Sequence, residues 1–141
     1  MTEEEIRTRM QQGREYHRHY NCAQSVMLAC CDLVGMTCAE AIQWGHPFGN
    51  GISGLREICG CVSGMAILAS KLIPITAGSD PAAKHSQRVL VQQMAQMFRH
   101  ENGDIVCARL KDPKLGFAMI SCDELIVSAI KIFCMQVHER R

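Results

Sequence analysis

Apolar positions recur at helical spacing along most of the chain. Ile126, Ile130, Phe133 and Val137 fall at i, i+4, i+7 and i+11, and Leu90, Met94, Met97 and Phe98 form a similar stripe. Such stripes are the core faces of amphipathic helices. Start signals agree. Thr2 to Glu5, Thr37 to Glu40 and Ser121 to Glu124 have capping-box spacing, and Asn21 to Gln24 is an analogous pair. Gly35, Gly78 and Gly103 mark stops. The pattern predicts helices over roughly 3–19, 22–34, 38–45, 58–72, 80–102, 104–111 and 122–138, with boundaries good to about 2–4 residues. The expected fold is all-α: one domain over 1–141, a bundle of about six or seven helices with no sheet. No internal repeat, low-complexity tract or inter-domain linker interrupts it.

One stretch breaks the pattern. His46-Pro47-Phe48-Gly49-Asn50-Gly51-Ile52-Ser53-Gly54 carries three glycines in six residues, which admits backbone shapes closed to other residues and close approach to a bound group. Gly49, Gly51 and Gly54 are the candidate cofactor-binding positions, set against an ordinary helix–helix loop.

Charge narrows the functional classes. The net charge is +1 and the sequence pI about 7.6, so no strong field draws in nucleic acid or an anionic membrane. The acidic start, Met1-Thr2-Glu3-Glu4-Glu5, lacks the basic-then-apolar run of a signal peptide, and no apolar stretch is long enough to span a bilayer. The expectation is a cytoplasmic protein with neither a nucleic-acid partner nor membrane insertion.

Nine cysteines are a large excess, and the odd number argues against a fully paired secretory framework. In a reducing compartment they point to metal binding, redox chemistry or small core residues. Four have similar surroundings. Cys22 follows the cap Asn21, Cys122 follows the cap Ser121, Cys59 opens the helix after the glycine loop, and Cys107 lies in the first turn after Asp104. Free N–H groups and the positive end of a helix dipole favour thiolate at such positions. Cys22 also aligns with Val26, Ala29 and Leu33, and Cys122 with Ile126, Ala129 and Phe133, so both should point inward. If successive helices alternate, the starts near 22, 58 and 104 share one end of the bundle. The connection from Asp112 to Ile120 can return the last start there.

The remaining cysteines read differently. Cys30, Cys31, Cys38 and Cys134 are taken as packing residues. Cys61 is an accessory thiol, because consecutive helical positions would splay Cys59 and Cys61 apart. His17 and His19 near the end of the first helix read as a solvated terminus that complements the dipole. No Cys-x-x-Cys or phosphate-binding glycine motif is present.

These elements carry a likeness. Tyr20-Asn21-Cys22-Ala23-Gln24-Ser25-Val26, Phe48-Gly49-Asn50-Gly51 leading to Cys59-Gly60-Cys61-Val62-Ser63-Gly64, Ile105-Val106-Cys107, and Cys122-Asp123-Glu124-Leu125-Ile126 follow one another as in the C-GCAxxG-C-C family of redox-active proteins, which the chain resembles over nearly its whole length. The resemblance implies that Cys22, Cys59, Cys107 and Cys122 are the functional, catalytic thiols, and it implies redox activity without naming a substrate. Two positions depart from the pattern: Cys61 stands where the family has alanine, and Gly49-Asn50-Gly51-Ile52 where it has a run of glycines.

Three mechanisms stay open. The first is thiol–disulfide exchange with a redox partner protein or small oxidant. The second is electron transfer through an iron–sulfur cluster, with the same four thiolates as metal ligands. The third is a helical interaction module, zinc-stabilised or independent of its thiols; ligands spread over four segments are unusual for structural zinc. A Met- and Leu-rich apolar surface is further expected to be covered in a homodimer.

Overall fold

The computed structural model describes residues 1–112 and 121–140. Seven α-helices and two 3-10 turns follow one another in this order. Helix α1 spans Glu3–Tyr16; α2 spans Cys22–Cys30 and tightens into a 3-10 turn at Cys31–Val34. Helix α3 is Cys38–Gly45, with a 3-10 turn at His46–Phe48, and α4 is Gly60–Leu72. The long α5 is Pro81–Asn102, α6 a single turn at Cys107–Leu110, and α7 Cys122–Glu139. No strand forms among the described residues; one isolated antiparallel bridge joins Ile58 to Val106. The fold is all-α, as the periodicity predicts. The Asp112–Ile120 connection expected to return the chain for its last helix lies, apart from Asp112, outside the described residues.

The starts follow from local chemistry. At Thr2, Asn21 and Thr37 the cap side chain accepts the N–H three residues on, and the Glu or Gln there accepts the cap's own N–H. Each reciprocal pair satisfies two N–H groups that the helix cannot. Ser121 makes only the forward bond, accepting from the Glu124 N–H at 3.2 Å. Gly35 and Gly103 end their helices with left-handed backbone. Gly78 ends nothing: α4 stops at Leu72, just before Pro74, and Asp80 caps α5.

Helix α2 is the central element, buried from Ala23 to Cys30, with α1, α3, α4 and α7 packed around it. Its interface with α4 is unusually close. Gly60 and Gly64 lie one turn apart on α4, where an added Cβ would come within 3.0 Å of the Ala23 carbonyl at Gly64 and overlap Cys22 Sγ at Gly60. The absence of side chains there brings the two backbones together. The other predicted faces are internal too: Leu90, Met94, Phe98, Ile126, Ile130, Phe133 and Val137 are all buried. Each such side chain contributes about 1.5–3 kcal/mol by leaving water. Buried polar groups are paired. Asn102 Nδ2 donates to the Phe98 carbonyl and, at 2.9 Å, to Ser128 Oγ.

Among the described residues the large exposed apolar side chains are Trp44 of α3, Ile52 and Leu55 in and beside the glycine loop, and Met135 of α7. Among the described residues no helix is long and apolar enough to cross a membrane.

Candidate functional site

Where α2, α4, α6 and α7 begin, one small cavity is lined by Cys22, Cys59, Cys61, Cys107 and Cys122, with Asn50, Arg56 and Lys111 as its polar neighbours and Leu110 and Leu125 as apolar walls. It encloses about 20 Å³, room for about one water. Cys59, Cys61 and Cys107 are buried, whereas Cys22 and Cys122 are partly exposed. All nine cysteines are free thiols.

Different local structures deliver each sulfur. Cys22 and Cys122 are the first residues of α2 and α7, directly after their caps. Cys59 is not inside a helix: it is the N-cap of α4, with extended backbone at ψ 132°. That corrects the expected splaying of Cys59 and Cys61. The bend at Cys59 turns its side chain back toward the second helical residue, so the sulfurs of Cys22 and Cys59 both meet Cys61. Close packing completes the contact, because Gly60 leaves the space that Cys22 Sγ occupies.

Residues far apart in sequence are clasped by main-chain bonds. The Cys59 N–H donates to the Ile105 carbonyl at 2.7 Å, and the Cys107 N–H to the Glu57 carbonyl at 2.6 Å. The Ala108 N–H donates to the Arg56 carbonyl at 3.1 Å. The short pairing around Ile58 and Val106 thus fixes Cys107 beside Cys59.

The glycine loop shapes one wall. Residues 50–54 all have positive φ, a left-handed turn that includes Asn50, Ile52 and Ser53. Each non-glycine residue there costs roughly 1–2 kcal/mol. At Gly51 a Cβ would run into the Arg56–Glu57 backbone, so only glycine fits. Of this loop it is Asn50 that faces the cavity; Gly49 packs on Asn21, Gly51 on the loop's own return, and Gly54 faces open space. Asn21 couples helix and loop, since its Nδ2 donates to the His46 carbonyl at 3.0 Å.

The thiols divide electrostatically. Hydrogen bonding from Cys61 holds the Cys22 thiol down at about 6, helped by the backbone N–H groups of Asn50 and Ala23 and by the nearby His17, against the opposing effect of burial. Cys59 is also lowered, chiefly by Cys61 and then by the N–H groups of Cys61 and Val62. Burial pushes Cys61 well up, and the two sulfurs it serves push it further. Cys61 therefore stays protonated as the donor between two thiolate-prone neighbours. Cys107 departs from the expectation of a helix-start thiolate: burial pushes it up, although Arg56 Nη1 stands 3.7 Å from its sulfur. Its helix is one turn long and supplies little dipole, and its own N–H is spent on Glu57.

Sequence reasoning missed three contributors. Arg56 and Asn50 sit in a loop whose shape no periodicity reports. His17, read as a solvated terminus, places Nδ1 2.6 Å from Asp123 Oδ1 and ties the end of α1 to the first turn of α7 beside Cys122. Cys38, read as packing, is exposed.

Among the described residues no three His, Cys, Asp or Glu side chains have the geometry to hold one metal ion. As arranged, these thiols do not form a ready-made metal site.

The model of a family described as "Putative redox-active protein (C_GCAxxG_C_C)" matches residues 20–135, a span that contains every thiol lining the cavity. No curated protein and no solved structure matches the chain.

Proposed function

The chain belongs to that redox-active family, and from this premise we propose that it carries out thiol–disulfide exchange with Cys22 as the entering nucleophile. The observation that carries this reading is the asymmetry of the cavity: a partly exposed thiol held at about 6 stands in front of buried thiols. At neutral pH Cys22 is largely thiolate, the species that attacks. It attacks one sulfur of a substrate disulfide, forming a mixed disulfide and expelling the other sulfur as a thiolate. Cys59, lowered as well, then attacks Cys22 Sγ and releases the second substrate thiolate. The protein keeps a Cys22–Cys59 disulfide, and the substrate disulfide leaves as two thiols. Cys61 holds its proton and stabilises each attacking sulfur in turn. Cys107 and Cys122 complete the cavity as the pair to which the disulfide can pass.

The test is a redox titration of the fully reduced protein against glutathione buffers, with alkylation and mass mapping. A two-electron Cys22–Cys59 disulfide that disappears in Cys22→Ser is the expected result. Thiols that remain reduced throughout would overturn the reading. Anaerobic purification yielding bound iron and sulfide absorption would replace it with cluster-based electron transfer.

A further inference from the structure

A second pair of thiols lies outside this cavity. Cys31 ends α2 and opens its 3-10 turn, and Cys38 is the first residue of α3. The chain between them folds back on itself: the Gly35 and Met36 N–H groups both donate to the Cys31 carbonyl, Gly35 is left-handed at φ 71°, and Thr37 caps α3. This turn brings Cys38 against Cys31 in an open cleft of about 640 Å³ that Arg9, Gln12, Tyr16 and Asp32 also line. Cys38 is exposed, and Cys31 is buried behind it. Neither contributes to the five-thiol cavity.

We propose that Cys31 and Cys38 form a second thiol–disulfide site, open to small-molecule disulfides, in which exposed Cys38 enters and buried Cys31 resolves. The first step gives up the Cys38 proton to solvent, joins Cys38 Sγ to one sulfur of oxidised glutathione and expels the other as glutathione thiolate. In the second, deprotonated Cys31 attacks Cys38 Sγ and expels the remaining glutathione. Two protein thiols are oxidised and one disulfide is reduced to two thiols. A cleft this open admits a tripeptide disulfide. Burial first, and Cys38 second, push the Cys31 thiol up to about 11. Burial persists once Cys38 carries glutathione and keeps Cys31 protonated, so the adduct on Cys38 is expected to precede the internal bond.

The test treats the reduced full chain with oxidised glutathione, blocks residual thiols, and cleaves after Arg18 and Arg56 and before Asp32. The fragment 19–31 then holds Cys31, and Cys38 is the lone cysteine of 32–56. The expected result is a disulfide-linked pair of these fragments, preceded by a glutathione adduct on 32–56. Cys31→Ser should lose the linked pair and keep the adduct, and Cys38→Ser, a surface change that leaves the core intact, should lose both. Cys22→Ser should retain the pair, which separates failure here from failure of the Cys22 mechanism. A wild-type protein without the linked pair, or a pair that persists in Cys31→Ser and so uses Cys22 or Cys30, overturns the proposal.

Discussion

Two groups of thiols in this molecule have almost opposite surroundings. At the helix starts, Cys22 and Cys59 face backbone N–H groups, those of Asn50 and Ala23 for Cys22 and those of Cys61 and Val62 for Cys59. In the middle of the bundle, Cys30 of α2 and Cys134 of α7 are fully buried and bond to each other, with the Arg9–Asp32 pair the nearest charge that acts on them. There Cys30 is pushed up by its bond to Cys134 and by burial, and Cys134 is lowered by accepting that bond. Burial alone does not make a cysteine chemically special. Unspent backbone polarity and a path from solvent do, and only the helix starts have both.

The sharpest way to break this contrast is to remove one sulfur from each group. With Cys22 at about 6, roughly nine-tenths of it is thiolate at pH 7. Cys22→Ser should cut the fast phase of iodoacetamide labelling at pH 7 by about tenfold or more, in line with the lost thiolate. Cys134→Ser should leave that phase unchanged, and equal losses in the two variants would erase the distinction.

A smaller effect is expected from the contact between α2 and α4. In Gly60→Ala the new Cβ meets Cys22 Sγ and lies 2.9 Å from the Phe48 carbonyl. Such overpacking costs about 1–3 kcal/mol and should appear as a lower urea midpoint together with slower Cys22 labelling. Cys30→Ala removes volume instead of adding it, so it should lower the midpoint while leaving labelling intact.

Asn21→Ala comes next. It removes a cap worth about 1 kcal/mol and the bond to the His46 carbonyl. Unfolding should become easier, and the loop should admit proteases sooner, as limited proteolysis can follow.

The finest test is the sign of the pH dependence. Cys22 is depressed on folding, so its contribution to stability is lost as pH falls through about 6 and is complete only above its ordinary value of 9.0. Cys30 and Cys61 are raised, so their contribution is complete below 9.0 and lost as pH rises toward their folded values. The thermal midpoint, measured relative to Cys22→Ala, should climb between pH 6 and 9. A flat difference would mean that Cys22 titrates normally.

How much of this was legible beforehand varies with the range of the interaction. The caps at Thr2, Asn21 and Thr37 use partners three residues away, and they read directly from sequence, as does the core stripe of α7. The 3-10 tail of α2 and the early end of α1 at Tyr16 did not, because helix ends depend on what packs beyond them. The cap Asn21 places Cys22 at the start of α2, where it lies. Cys61 was misjudged because Cys59 was assumed to be helical, when its extended backbone turns the two sulfurs together. Cys107 looked like Cys22 in one dimension, but a one-turn helix and a spent N–H reverse its electrostatics. Arg56 left no periodic signal at all, since its position is set by a left-handed loop and by pairing with a segment some fifty residues on.

That pairing also sets an order of assembly during synthesis. A ribosome delivers Cys22, the glycine loop, Cys59 and Cys61 in one continuous stretch, and Gly60 and Gly64 let α4 dock on α2 before α5 is finished. The Ile105–Ala108 clasp and then α7 arrive afterwards, as N-terminal portions fold first. For the time it takes to translate α5 through α7, Cys22 and Cys59 stand beside their donor Cys61 without the outer walls of the cavity. Disulfides and thiol-modifying electrophiles are expected to label Cys22 faster in a chain that stops before α7 than in the full chain, since α7 supplies Cys122 and Leu125 as the outer wall.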